Sequence, residues 1–68
     1  MTARPIGAAF QVWGLAPGAE YAVIRSYRFT ATGAKIVAAN NQWHDAETWV
    51  IDARSGARVA EYVHGRRT

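Results

Sequence analysis

The chain has 68 residues, half of them hydrophobic, no cysteine, and a net charge of +3 carried by seven arginines and one lysine. Without cysteine, disulfides and thiolate zinc sites are excluded, and so short a chain buries only about 60% of the surface that it exposes when unfolded. Self-association or a partner is therefore the expected source of added stability.

The apolar runs are far shorter than the roughly 20 residues of a membrane-spanning helix. The first ten residues also lack the apolar segment of a secretory signal. We therefore expect a soluble cytoplasmic protein with no membrane contact. No linker or repeat divides the sequence, which predicts one small β domain over residues 1–68, with residues 1–7 and 65–68 frayed.

Residues 8–13 are predicted to form the first strand. The dipeptide Pro17-Gly18 then has the residues of a type II turn. Residues 20–30 alternate as a long second strand, which places Arg25 within an otherwise apolar and aromatic face. The other members of that face are Tyr21, Val23, Tyr27 and Phe29.

The middle of the chain is predicted to continue as a meander. Thr32-Gly33 indicates a second hairpin turn, and residues 35–39 follow as a third strand. Residues 40–42 interrupt the pattern, and residues 43–47 are expected to bridge to the next strand.

Residues 48–63 are predicted to form a tight β-hairpin. Residues 48–51 are β-branched or aromatic, the Asp52 carboxylate can accept bonds from turn N–H groups, and Gly56 tolerates positive φ. A loop over residues 53–56 sets Ile51 opposite Arg58, with Val50 opposite Val59, Trp49 opposite Ala60 and Thr48 opposite Glu61. One face then holds Trp49, Ile51, Ala60 and Tyr62, and the other holds Val50, Val59 and Val63.

Together these elements predict an all-β fold, a small five-stranded antiparallel meander that closes into a barrel of the SH3-like or OB-like kind. The alternative is an α+β fold with a helix near residues 42–55. Asn41 would cap that helix and Gly56 would end it.

No group of residues has the spacing of a catalytic or metal site. His44, Asp45, Glu47 and His64 are the candidates for a metal or acid–base site, but zinc-ligand spacing is absent, and Ser55 has no histidine beside it. We therefore expect a non-enzymatic protein without metal or cofactor.

Arginines and aromatic residues alternate along the second strand, as a single-strand nucleic-acid platform requires. The candidate nucleic-acid or partner-binding residues are Arg25, Tyr27, Arg28, Trp43, Arg54, Arg58 and Tyr62. In the alternative, Tyr21, Val23, Tyr27 and Phe29 are instead the barrel core, and Arg25 reaches out at a bulge or barrel end.

Apolar residues also occur on both faces of several predicted strands, although one small barrel has only one interior. The first functional hypothesis is an oligomeric basic module that binds RNA or DNA. The second is a protein-interaction or assembly protein, of the phage or mobile-element accessory type, that docks on a larger complex through an apolar sheet face. In the second case Arg25 and Arg28 are expected to pair with carboxylates.

Overall fold

The computed structural model describes residues 7–63 together with the backbone of Arg66–Arg67. The elements in chain order are β1 (Phe10–Leu15), β2 (Val23–Arg28), α1 (Ala31–Asn41), β3 (Glu47–Asp52), β4 (Arg58–Val63) and the two-residue β5 (Arg66–Arg67). The strand order across the sheet is β2-β1-β3-β4-β5, and all neighbours are antiparallel. The predicted frayed ends lie mostly outside the described residues.

The sheet is open, with α1 packed on one face, so the predicted closed barrel is wrong. The predicted five-strand count is not matched either. The sheet consists of four six-residue strands and only a two-residue fifth strand, and the predicted third strand, residues 35–39, lies in α1. In the part of the chain that the structure describes, no helix is long and apolar enough to cross a membrane.

Helix α1 begins at a side-chain cap. Thr30 has extended backbone angles, and its Oγ1 accepts a hydrogen bond of 3.1 Å from the Gly33 N–H. Alanines at positions 31, 34, 38 and 39 favour the helix, and Ala34 and Ala38, one turn apart, are fully buried against the sheet. The cap and this contact outweigh the strand preference of Ile36 and Val37.

The helix ends where the alternative prediction would have it begin. Asn41 is the last helical residue, and the Gln42 N–H donates to the Ala38 carbonyl as the helix closes. Residues 42–46 then form turns that lead into β3. The predicted helix at residues 42–55 is therefore wrong, although the described part of the chain does contain a helix, α1.

The predicted turn between β3 and β4 is confirmed. The Asp52 N–H donates to the Ala57 carbonyl at 2.9 Å, and the Gly56 N–H donates to the Asp52 carbonyl at 2.7 Å. Gly56 has φ +76°, and the Asp52 carboxylate accepts from the Arg54 N–H at 2.9 Å. The turn occupies residues 53–56, as the sequence predicts, and Ala57 completes the connection to β4.

The predicted register holds only next to that loop. Ile51 pairs with Arg58, but Val59 is then bulged out, and Val50 pairs with Ala60 rather than Val59. Beyond the bulge Trp49 pairs with Glu61 and Thr48 with Tyr62. The predicted faces are corrected accordingly: Ala60 and Tyr62 lie with Val50, not with Trp49.

The hairpin of β1 and β2 contains a second bulge. Its turn is confirmed, since the Ala19 N–H donates to the Ala16 carbonyl at 3.0 Å and Gly18 has φ +77°. Val12 pairs with Ser26 but Trp13 with Ile24, so Arg25 is the extra residue. The apolar and aromatic residues at the ends of the predicted second strand do not form a core, because Tyr21, Val23 and Phe29 are all exposed.

The core lies between α1 and the sheet and is built of small residues. Val12 and Val50 meet Ala34 and Ala38, with Tyr62 beside them. The Thr48 Oγ1, also fully buried, donates a 2.8 Å hydrogen bond to the Ala38 carbonyl and joins β3 to the end of the helix.

Replacing Thr48 by valine, which has nearly the same shape, should lower the free energy of unfolding by about 1 kcal/mol, since a buried hydrogen bond is lost. The Ala38 carbonyl keeps the Gln42 N–H as a donor, which limits the loss. Urea unfolding followed by circular dichroism measures the change. Thr32→Val, at an exposed helix position, is the matched control. An equal effect of both variants would contradict the role of the Thr48 bond.

Stability should depend on pH through Asp52. The main-chain and side-chain donors of Arg54 hold the pKa of the Asp52 carboxyl below its ordinary value. The ionised carboxylate therefore stabilises the fold fully above the unfolded pKa of about 3.9, and this contribution disappears as pH falls through the lower folded pKa.

The Tm difference between the wild type and Asp52→Asn should thus be largest near neutral pH and shrink below about pH 4. Thermal unfolding across a pH series measures it. Ser55→Ala, a change without charge in the same loop, should give a difference independent of pH. A difference for Asp52→Asn that stays constant down to the acid limit would contradict the argument.

Candidate functional site

The face of the sheet opposite α1, here called the open face, consists of three cross-strand rows. The pairing places Tyr27, Gln11, Ile51 and Arg58 in the first row, Ile24, Trp13, Trp49 and Glu61 in the middle row, and Leu15, Glu47 and Val63 in the third. Seven of these eleven residues are apolar or aromatic. An antiparallel sheet with one solvated face normally carries polar residues there.

Two parallel tryptophan rings occupy the centre of the open face. Trp13 and Trp49 are directly paired across β1 and β3, their ring centroids are 6.5 Å apart, and their planes differ by 3°. The Trp13 Nε1–H donates to Gln11 Oε1 at 3.0 Å, which fixes the orientation of the indole. The pair thus forms an ordered aromatic surface on the two central strands.

Arg58 lies over this aromatic pair. Its guanidinium carbon is 4.4 Å from the centroid of the Trp49 ring, within the range of a cation–π contact. This contact, together with the neighbouring indole, leaves Trp49 only 8% exposed although it belongs to the open face. Arg58 therefore covers one end of the tryptophan row.

The charges on the open face are mixed. Arg58 Nη1 is 3.1 Å from Glu61 Oε1 and 3.7 Å from Glu47 Oε1. One guanidinium is thus held between two carboxylates, and among the described side chains of this face positive charge is not in excess. All three side chains are partly exposed, so each ion pair contributes little stability by itself.

A shallow groove of about 290 Å³ runs across the same face. It is lined by Gln11, Trp13, Ala22, Trp49, Ile51 and Arg58. The lining is mostly apolar, with polar groups at Gln11 and Arg58, which suits an apolar side chain of a docked molecule more than a charged one.

Arg25, the bulged residue of β2, is held in a bidentate ion pair. Its Nε and Nη2 donate to the two carboxylate oxygens of Asp45 at 3.0 and 2.6 Å, and Asp45 is only 2% exposed. These bonds raise the pKa of the Arg25 guanidinium above its ordinary value. The pair fastens the connection after α1 to the edge strand.

Gly14 makes room for this ion pair. A Cβ at position 14 would lie 3.0 Å from Arg25 Nε and closer still to the Asp45 carboxylate, so any side chain there would displace the pair. Gly14 and Asp45 were not predicted as partners of Arg25. No local pattern links them, because the three residues come from different elements.

The structure brings only two of the seven predicted binding residues, Tyr27 and Arg58, onto the open face. Tyr62 is 4% exposed and packs under α1, while Trp43 is 65% exposed in the turn after the helix. Arg28 Nη1 donates to the Tyr27 carbonyl at 3.2 Å. Arg54 pairs with Asp52 and lies 6.0 Å from the Phe10 ring centroid.

The candidate metal or acid–base residues do not form a site in the described part of the chain. Asp45 is bound to Arg25 and Glu47 lies beside Arg58, while His44 is exposed and His64 lies outside the described residues. Within residues 7–63 no group of three or more histidine, aspartate or glutamate side chains is placed to hold a metal ion.

Comparisons with protein-family models, with curated proteins and with solved structures find no match to this chain. The functional argument therefore depends on the geometry of the open face.

The Arg25–Asp45 pair should be required for stability. Arg25→Met would leave a buried carboxylate without its cation and should lower the free energy of unfolding by about 2 kcal/mol, less than for a fully buried pair because Arg25 is partly exposed. Arg28→Met, on the same strand, should change it by less than about 0.5 kcal/mol.

A double-mutant cycle with Asp45→Asn separates this pair from its surroundings. The double variant Arg25→Met/Asp45→Asn should be more stable than the sum of the two single losses predicts, by about 1 kcal/mol. Urea unfolding of the four proteins measures this coupling. Additive losses would show that the ion pair does not couple the two residues.

Proposed function

We propose that this chain is a non-enzymatic interaction module that docks on protein through its open face. The observation that carries the proposal is the distribution of side-chain size. The core under α1 is built mainly of alanine and valine, whereas both central tryptophans and two isoleucines lie on the face that the helix does not cover. Trp13, Ile24 and Ile51 are partly exposed there, and Trp49 is covered by Arg58. Apolar side chains that remain partly exposed on an outer face are typical of an interaction surface.

The charges support a protein partner over a polyanion. Arg25, Arg54 and Arg58 each contact at least one carboxylate. Between residues 7 and 63 five basic residues are matched by five acidic ones, and the excess of +3 comes from Arg4, Arg66 and Arg67. A nucleic-acid surface needs arginines directed at phosphates, and the described side chains of the open face include one arginine, held between two glutamates.

Binding of single-stranded nucleic acid is a second candidate, favoured by the tryptophan pair. Aromatic rings on the two central strands of an antiparallel sheet are a platform on which bases stack, and Tyr27 stands in the adjacent row. It ranks second because Arg58 already covers the Trp49 ring, and because Glu47 and Glu61 would face the phosphates.

Site-specific photo-crosslinking tests the proposal. Benzoylphenylalanine at position 27, on the open face, should give protein adducts in cells that naturally encode the chain. The same group in place of Ile36, an exposed residue of α1, is the matched control and should give far fewer. Adduct masses are read by electrophoresis and mass spectrometry.

The outcome also separates the two candidates. Adducts that disappear on nuclease treatment would establish the nucleic-acid alternative, and its affinity should then fall steeply with salt. Equal labelling from positions 27 and 36 would contradict any specific use of the open face.

A further inference from the structure

We infer that a cleft between α1 and β4 binds a small molecule that has an apolar body and one carboxylate. The cleft lies on the helix side of the sheet and shares no residue with the open face, so the inference goes beyond the proposed function. It has a volume of about 320 Å³. The described residues that line it are Thr32, Lys35, Ile36, Ala39, Gln42 and Tyr62.

The cleft exists because α1 does not cover the whole sheet. The helix packs mainly on β1 and β3 and least on β4. Ala34 and Ala38 are buried against the sheet, and the lining residues of α1 occupy the adjacent side of the helix. Tyr62 of β4 lies across from them, and the small side chain of Ala39 leaves the space between the two elements.

The cleft has the size and the surface of a small-ligand site. Such sites begin at about 300 Å³ and are lined mostly by apolar side chains with a few polar groups. A volume of about 320 Å³ equals roughly ten water molecules at about 30 Å³ each, which suits a ligand of about a dozen non-hydrogen atoms. Ile36, Ala39 and Tyr62 supply the apolar surface, and Thr32 and Lys35 supply polar groups at the N-terminal end of the helix.

Lys35 gives the cleft its charge and lacks a partner for that charge. Among the described basic residues, Arg25, Arg54 and Arg58 contact carboxylates, and Arg28 donates to a backbone carbonyl. Lys35 alone has neither a hydrogen bond nor an ion pair within the described chain, although it is partly buried. A partly buried ammonium group with three unused donors is complementary to a carboxylate.

The surroundings of Lys35 also favour an anion. None of the described lining residues is acidic, and the sequence of α1 contains no aspartate or glutamate. The Thr32 hydroxyl, one helical turn before Lys35, is a second donor for the same carboxylate. No carboxylate of the chain therefore competes with a ligand at this position.

A single positive charge beside an apolar wall selects the chemical class of the ligand. A nucleic acid carries many charges, and one lysine neutralises only one of them. An uncharged apolar molecule would cover the ammonium group without giving it an acceptor, which is costly. One carboxylate on an aromatic or short aliphatic body matches both the charge of Lys35 and the apolar surface at Ile36 and Ala39.

The first test is a titration of the isotope-labelled intact chain with phenylbutyrate, followed by amide NMR shifts. We expect saturable shifts at Thr32, Ile36 and Ala39, with a Kd on the order of 1 mM or lower. Phenylbutanamide has the same shape without the charge and should bind about tenfold more weakly. Equal affinity for the two compounds, shifts confined to the open face, or no saturation by about 20 mM would each overturn the inference.

Removal of the charge at position 35 is the second test. Lys35→Met keeps a long apolar side chain, so it should weaken phenylbutyrate binding about tenfold and leave phenylbutanamide binding unchanged. Arg54→Met, which removes the same charge in the loop between β3 and β4, is the matched control and should leave both affinities unchanged. If Lys35→Met weakens both compounds equally, the lysine acts only through packing and the inference is wrong.

A third test supplies Lys35 with a carboxylate of the chain's own. Thr32→Glu places an acidic residue three positions before Lys35 in the first turn of α1, where a negative charge also favours the helix. It should weaken phenylbutyrate binding about tenfold, whereas Thr32→Gln, of the same size, should change it by less than about threefold. Circular dichroism confirms that both variants fold. Equal losses for the two variants would contradict a site built on the charge of Lys35.

These tests are separate from photo-crosslinking at position 27. Absence of phenylbutyrate binding overturns the cleft as a carboxylate site and leaves the interaction module intact. Absence of adducts at position 27 overturns the interaction module and leaves the cleft intact.

Discussion

The close approach of α1 to the sheet through Ala34 and Ala38 determines how the rest of the molecule is arranged. Because these side chains are so small, the helix lies close to Val12 and Val50, with Tyr62 packed beside them, and the Thr48 hydroxyl can reach the Ala38 carbonyl. The tryptophans of β1 and β3 lie on the opposite face, and an eleven-residue helix has no means of covering both sides of a sheet.

Two bulges refine this division between faces. On β4 the extra residue Val59 moves Tyr62 beneath the helix and Glu61 outward, where it meets Arg58. On β2 the extra residue Arg25 brings Tyr27 and Ile24 onto the same face and frees its own side chain to bind Asp45. Without the bulges, strict alternation would place these side chains on the opposite face of the sheet. The two bulges therefore determine which side chains the open face contains.

Local chemistry was sufficient to predict two of the three turns but not the helix or the faces. Thr32-Gly33, predicted as a hairpin turn, lies in the first turn of α1. Pro17-Gly18 and Asp52 with Gly56 behave as their dihedral and hydrogen-bonding preferences require. Helix α1 was missed because Ile36 and Val37 resemble strand residues. Two features of the sequence could have predicted this helix, namely the cap residue Thr30 and the alanines spaced four residues apart. The sequence showed that apolar residues occur on both faces of several strands. It did not show which residues share a face, since one bulge reverses the facing of every later side chain of a strand.

The stacked tryptophan pair is also an intrinsic spectroscopic probe of the open face. Two of its three tryptophans lie with parallel rings at the centre of the open face, and the third, Trp43, is exposed to solvent elsewhere. Parallel indoles at such a separation couple their electronic transitions, so the near-ultraviolet circular dichroism of the pair is sensitive to small changes in ring geometry. A molecule that binds to this face changes the environment of the coupled pair, whereas Trp43 lies elsewhere and serves as a constant reference. Binding can therefore be followed spectroscopically without an attached dye.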